Sequence, residues 1–295
     1  MTLGPEKHEK VARAGRISNV FRIAGAQSAE QSVGIGGQDT SNCSEPKEKA
    51  FMHNIKLTLE YDGSRYQGWQ RLGKGESTNT ISNKLLEVIY KMTAEDVELF
   101  CGARTEVGVH ARGQVVSFKT TSDMKPYEIQ HYLNRYLPMD IAVLSAEEVP
   151  QRFHAALNAR SITYVYHIAT GTVPSVFGRK YTYYAFKTPD ISVIQQAALS
   201  LAGKHDFKSF STAKKNKSTE KELYDITICG DSEEIQITLK ANDFLHNMAR
   251  MIIGTLLEIG LGKRKKECIE AIFAGNDVSS APCNPKGLFL QKIEY

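Results

Sequence analysis

The sequence predicts an α+β fold built on a mostly antiparallel sheet, and three observations carry that reading. Ile55, Leu57 and Leu59 alternate with Lys56, Thr58 and Glu60, the period of a strand with one buried face. Leu85, Leu86, Val88 and Ile89 give residues 81–91 the apolar stripe of a helix. Strand and helix then alternate again through residues 115–118, 127–136 and 141–144, an order that suits an antiparallel sheet with helices packed on it.

Length and composition bound the rest. The 295 residues suffice for one large or two ordinary domains. Hydrophobic content of 41% and charged content of 24% are those of an ordinary globular chain, and no apolar run is long enough to span a bilayer. A net charge of +4 permits a polyanionic partner without demanding one. Cys43, Cys101, Cys229, Cys268 and Cys283 form no CxxC pair and no metal-ligand spacing. Their scatter suits a reducing cytosol, so a cytoplasmic protein is expected.

Residues 1–52 differ from all that follows. They are rich in Gly, Ser, Gln and Ala, lack any helical or strand period, and read as a flexible extension. Gly34-Ile35-Gly36-Gly37 has neither the spacing nor the preceding strand of a nucleotide loop. Arg13, Arg16 and Arg22 suit a transit peptide, and Glu6 and Glu9 count against one. The folded protein is expected to begin at Met52, which directly precedes the first strand.

A first α+β unit is expected over residues 53–150. Its opening strand ends in Tyr61-Asp62-Gly63, followed by Arg65 and by Trp69, the only tryptophan, read as a core aromatic rather than a stacking surface. The chemistry concentrates in residues 100–118. There Arg104, Thr105 and Glu106 stand in a row, Gly108 makes a turn, and His110 and Arg112 precede the strand Val115–Phe118. A carboxylate beside guanidinium and hydroxyl groups, on a glycine-flanked loop held by a strand, is a way to aim one charge into a cleft. The plain alternative is a surface loop with an incidental Arg–Glu pair.

The second unit is expected over residues 151–295. Tyr164 and Tyr166 point to one face of a strand at 163–168, which serves either cross-strand packing or base stacking. A helix follows near 191–202. The basic loop from Lys214 to Thr219, with Lys214 and Lys217, lies between structured segments and suits phosphate binding. After strands at 224–229 and 235–239, a long helix is expected over Asp243–Ile259. Phe244, Leu245, Met248, Ile252, Leu256 and Ile259 form its core side, and Asp243, Asn247, Arg250 and Gly254 form another stripe. Arg250 either snorkels to solvent or meets a carboxylate. Gly287–Leu290 reads as an edge or a central strand.

From Asn54 onward the chain resembles the TruA family of tRNA pseudouridine synthases. The motifs run in order: Tyr61-Asp62-Gly63 with Gly68-Trp69-Gln70, Gly102 to Gln114, Leu137 to Ile141, and Phe153-His154-Ala155. Tyr164-x-Tyr166, Asp206-Phe207, Asn242 to Arg250 and Gly287-Leu288-x-Leu290 continue them. The resemblance implies a pseudouridine synthase fold, with two ferredoxin-like, RRM-like halves flanking a basic cleft. It implies a homodimer that holds tRNA and isomerises uridines of the anticodon stem-loop without cofactor or metal. By position, Glu106 would be the catalytic carboxylate, Tyr164 would stack on the base, and Arg250 would pair with the carboxylate. Arg104 and His110 would handle the RNA backbone or shape the loop, and Arg65, Arg112, Lys214 and Lys217 would join them in binding RNA.

Four positions depart from the family pattern. Glu106 replaces an aspartate, which keeps the charge and moves the carboxylate by roughly 1 Å. Ile162 and Val165 stand where basic residues are usual, and Lys221 replaces an arginine. Beside an active synthase, two other readings stand: a protein that grips or remodels tRNA without modifying it, and a hydrolase. The hydrolase would need a second carboxylate or a Ser/His pair near Glu106, which the local sequence lacks.

Overall fold

The computed structural model describes residues 51–70, 77–212 and 218–295. These lie within one unit, Lys49–Tyr295. The expectations for the N-terminal extension before Phe51, and for Lys214 and Lys217, fall outside the described residues.

The first strand, β1 (His53–Tyr61), has the predicted alternation, with Ile55, Leu57 and Leu59 buried. Helix α1 (Ile81–Thr93) starts where the Thr80 side chain accepts the Asn83 N–H and stops at Ala94 in the left-handed region. The short β2 (Phe100–Cys101) leads through the Glu106 loop into β3 (His110–Thr120), longer than the four residues that sequence pattern marks. In α2 (Pro126–Tyr136) proline occupies the first turn, and the Glu128 carboxylate accepts the Lys125 N–H at 2.7 Å. Then come β4 (Ile141–Glu148), β5 (Ser161–Ala169), β6 (Tyr183–Tyr184) and α3 (Ile191–Ala198), which Asp190 caps. The chain finishes with β7 (Gly203–Asp206), β8 (Glu220–Gly230), β9 (Glu234–Ala241), α4 (Met248–Gly260), α5 (Cys268–Phe273) and β10 (Leu288–Glu294).

One sheet runs through both expected units in the order β4-β1-β3-β10-β5-β9-β8-β7, with β2 on β3 and β6 on β5. Its pairings are antiparallel except β10 with β3 and β5 with β6. The last strand is therefore central. It returns from the C-terminus to sit between β3 and β5, joining the first four strands to the rest. Helix residues Ile81, Leu85, Ile89, Ile129, Leu133, Ile194, Ile252 and Leu256 share a single buried cluster with Leu57, Phe118, Tyr166 and Leu239. Among the described residues no helix is long and apolar enough to cross a membrane.

The expected helix over Asp243–Ile259 is corrected at its start. It begins at Met248, because Asn247 adopts φ 63° and ψ 3° and cannot continue helical geometry backward. Residues 243–247 form instead a non-helical approach, and that approach faces the Glu106 loop.

Candidate active site

The loop from Gly102 to Val109 is fixed to β1, β3 and the Trp69 segment before its acid comes into play. Gln114 Nε2 donates to the Ala103 carbonyl at 2.6 Å, and the Trp69 N–H donates to the Thr105 carbonyl at 3.0 Å. Thr105 Oγ1 and Tyr61 Oη are 2.8 Å apart, and Gln114 Nε2 reaches the same phenol at 3.3 Å. Burial pushes the Tyr61 phenol well above its ordinary range, so its proton stays. Trp69 itself is 1% exposed, the core aromatic that the sequence indicates. The Val109 N–H donates to the Glu106 carbonyl at 3.2 Å and closes the turn at Gly108. Everything around Glu106 is thus hydrogen-bonded in place, which orients its side chain at little further entropic cost.

That side chain points to the residue just before α4. Glu106 Oε1 accepts the backbone N–H of Asn247 at 2.9 Å. Asn247 Oδ1 in turn accepts from Arg250 Nη1 at 3.0 Å, and Arg250 Nε donates to the Cys283 carbonyl at 2.8 Å. The expected direct pairing of Arg250 with the carboxylate is corrected: among the described residues no ion pair joins them, and Asn247 stands between. Arg250 is half-buried and spends its guanidinium on an amide and a carbonyl.

Tyr164 reaches this place from β5. Burial, and then the nearby Glu106 charge, push its phenol far up, so it is a neutral hydroxyl beside a carboxylate. Its ring is 4% exposed and meets Phe244 edge-on at 5.0 Å. In this conformation the Tyr164 ring, expected to stack on the base, is covered, and the half-buried aromatic beside it is Phe244. Sequence pattern placed Phe244 on the core side of a helix, and the non-helical approach to α4 is what turns it here. Tyr166 lies on the same sheet face, fully buried, with its hydroxyl donating to the Asn284 carbonyl at 2.8 Å.

Of the described residues expected to bind RNA, His110 and Arg112 line one cavity, Arg65 is paired with Asp140 on its wall, and Arg104 lies apart on the Glu106 loop. Arg104 is exposed on the Glu106 loop. Arg65 is exposed and ion-paired to Asp140. Arg112 is exposed with its guanidinium 5.0 Å from the Phe289 ring centre. Phe289 neighbours Leu290, the register partner of Tyr164, so Phe289, Arg112 and His110 lie on the opposite sheet face from Tyr164. His110 is fully buried, which suits the second of its two expected roles, shaping the loop, better than handling the RNA backbone. It stacks on Phe289 at 4.7 Å, and its Nδ1 lies 3.2 Å from the Gly63 N–H donor and from Asp62 Oδ1. The carbonyls of Lys180 and Lys286 lie near the ring, yet neither meets hydrogen-bond geometry with Nε2. A cavity of about 420 Å³ opens there, lined by Asp62, His110, Arg112, Asp140, Tyr181 and Phe289 among others; Glu106, Tyr164 and Arg250 are not part of it. Among the described residues no group of three or more His, Cys, Asp or Glu is placed to hold a metal ion.

Comparison with known proteins shows the family of the chain. The family model for tRNA pseudouridine synthase matches residues 58–157 and 197–295. The chain belongs to the tRNA pseudouridine synthase family. Among curated relatives, tRNA pseudouridine synthase A 2 of Bacillus cereus is 40% identical over 247 residues, 83% of this chain and 100% of the relative. Coverage is the same for tRNA pseudouridine synthase A of a Bacillus species, 40% identical over 246 residues, and for the A 2 protein of Clostridium perfringens, 40% over 247. Glu106 and Arg250 of this pseudouridine synthase family member lie within the matched segments, and Tyr164 lies between them. Lys221 pairs with Asp243 at 2.7 Å. Sequence reasoning missed Asn247 and Tyr61 as parts of the site. The three-residue spacing of Asn247 and Arg250 was the one available signal for Asn247.

Proposed function

We propose that this protein isomerises uridine to pseudouridine in the anticodon stem-loop of tRNA, as a cytoplasmic homodimer, with Glu106 as its working carboxylate. What carries the reading is the convergence at Glu106: β3's loop, β5 and the approach to α4 each deliver one group there, within a chain of this family. The relatives named above, each called a tRNA pseudouridine synthase, are matched along their whole length.

The chemistry is a redox-neutral rearrangement. The N1–C1′ bond of the uridine breaks, the uracil turns, a C5–C1′ bond forms, and the C5 proton is replaced by one on N1. The target nucleoside has to leave its stack to be reached. Glu106 meets the positive charge that develops at C1′ as N1 departs, where a fixed carboxylate is most effective. Tyr164 offers a protonated hydroxyl beside it, and Phe244 offers an aromatic edge to the uracil. Arg250 steadies the carboxylate through Asn247. Arg104, exposed on the same loop, and Arg65 offer cations to the phosphates.

The test is direct. Unmodified tRNA is incubated with the protein and with Glu106→Gln and Glu106→Asp, and pseudouridine is mapped by derivatisation and primer extension. The parent is expected to form pseudouridine in the anticodon stem-loop and the Gln variant to form none. The Asp variant, its carboxylate drawn back by roughly 1 Å, is expected to be slower. A parent that binds tRNA tightly and makes no product would mean a binding protein on this scaffold.

A further inference from the structure

Asn247 is one of two non-glycine residues with positive φ among those described, at φ 63° and ψ 3°. Left-handed backbone costs most side chains energy, asparagine less than most, and it persists where surrounding contacts hold it. Here every polar group of the residue is engaged. Its N–H donates to Glu106 Oε1 at 2.9 Å, and its carbonyl accepts the Met251 N–H at 2.9 Å, starting α4. Its Oδ1 accepts from Arg250 Nη1 at 3.0 Å, and its Nδ2 donates to Thr212 Oγ1 at 2.9 Å. Thr212 Oγ1 is in turn 2.6 Å from His246 Nδ1, so the side chain is anchored at both ends.

The geometry has a specific consequence. An α4 extended backward in helical conformation would point the residue-247 N–H along the helix axis, toward the preceding turn. The left-handed turn aims it across the site at the carboxylate instead. The longer arm of Glu106 then ends on a fixed donor, and Arg250 hydrogen-bonds that donor's side chain.

We propose that Asn247 is a positioning residue for the reaction: its left-handed backbone presents its N–H to Glu106. This rests on tRNA isomerisation by Glu106. It assigns the aiming of the carboxylate to a backbone group, so the substitutions that matter are those that change backbone preference.

Two variants of the full chain separate the possibilities. Asn247→Gly takes positive φ freely and keeps the N–H. Asn247→Ala keeps the N–H too but resists the left-handed turn. kcat and KM for unmodified tRNA are measured for parent and variants whose thermal melts show that they are folded. The expected result is a kcat about ten-fold or more lower for the Ala variant with KM within about two-fold, and recovery of most of kcat by the Gly variant. In asparagine-labelled parent, the Asn247 amide proton is expected to move when Glu106→Ala removes its acceptor. An Ala variant with the parent's kcat, a Gly variant as slow as Ala, or an amide indifferent to Glu106→Ala would each overturn the inference. A parent that makes no pseudouridine overturns the reaction itself, and this role falls with it. That outcome is distinct from an active parent matched by Asn247→Ala.

Discussion

Thr105 illustrates how a site residue can matter without touching substrate. Its hydroxyl is buried, 2.8 Å from the Tyr61 phenol, and its carbonyl holds the Trp69 N–H. Thr105→Val preserves the shape and deletes the hydroxyl, leaving the buried phenol with only the 3.3 Å contact from Gln114. A buried polar group deprived of a partner costs about 1–3 kcal/mol, so urea unfolding of this variant is expected to show a loss of that size. Pseudouridine formation should slow as well, since Glu106 is the next residue. Unchanged stability would mean that Gln114 alone satisfies Tyr61. Neighbouring Cys101 is chemically quiet by the same physics: burial pushes its thiol up to about 11, so it stays protonated near neutral pH.

Among the elements, the Glu106 loop depends on the segment that follows β1. Gly68 has φ +78°, and a Cβ there would lie 2.9 Å from the Thr105 carbonyl oxygen. Gly68→Ala therefore combines a disfavoured backbone with a contact on the Glu106 loop itself. A loss of about 1–3 kcal/mol in thermal or urea unfolding is expected, with slower product formation. Gly275→Ala is the control, since it shares positive φ (+77°) but meets nothing within 4 Å. It should lose stability and keep its turnover; equal turnover losses in both would show that Gly68 has no special link to the site.

Across the whole molecule, the joint between β3 and β10 carries an unusual burden. Only two register pairs, His110 with Phe289 and Ala111 with Leu290, tie these parallel strands. The His110 ring reinforces them by stacking on Phe289, with the Tyr181 ring edge-on at 5.2 Å. Burial pushes the His110 imidazole below its ordinary value of 6.5, against the opposing pull of the Asp62 carboxylate. The folded state then binds fewer protons than the unfolded chain below about pH 6.5, so stability is full above that value and falls as pH drops toward the folded-state value. Urea unfolding near pH 7.5 and 5.5 should show the parent losing more stability than His110→Gln across that window. Parallel losses in both proteins would place the acid sensitivity elsewhere.

What the sequence determined by itself is what local periodicity and ordered motifs encode. The alternation in β1, the stripe of α1 and the proline at the head of α2 are local, because side-chain spacing and backbone restriction act within a few residues. Motif order from Tyr61 to Leu290 was likewise enough to indicate the family, and it singled out Glu106 as the carboxylate proposed here. The tertiary structure alone decided how those parts meet. It placed β10 centrally, buried His110, covered Tyr164, and left Arg112 on the far face of the sheet. Most tellingly, it put Asn247 between Glu106 and Arg250. Those outcomes depend on strand pairing and on one left-handed residue held by distant partners, and such contacts span more than a hundred residues of chain (|i−j| of 141 for Glu106 and Asn247). A window of sequence carries no term for them.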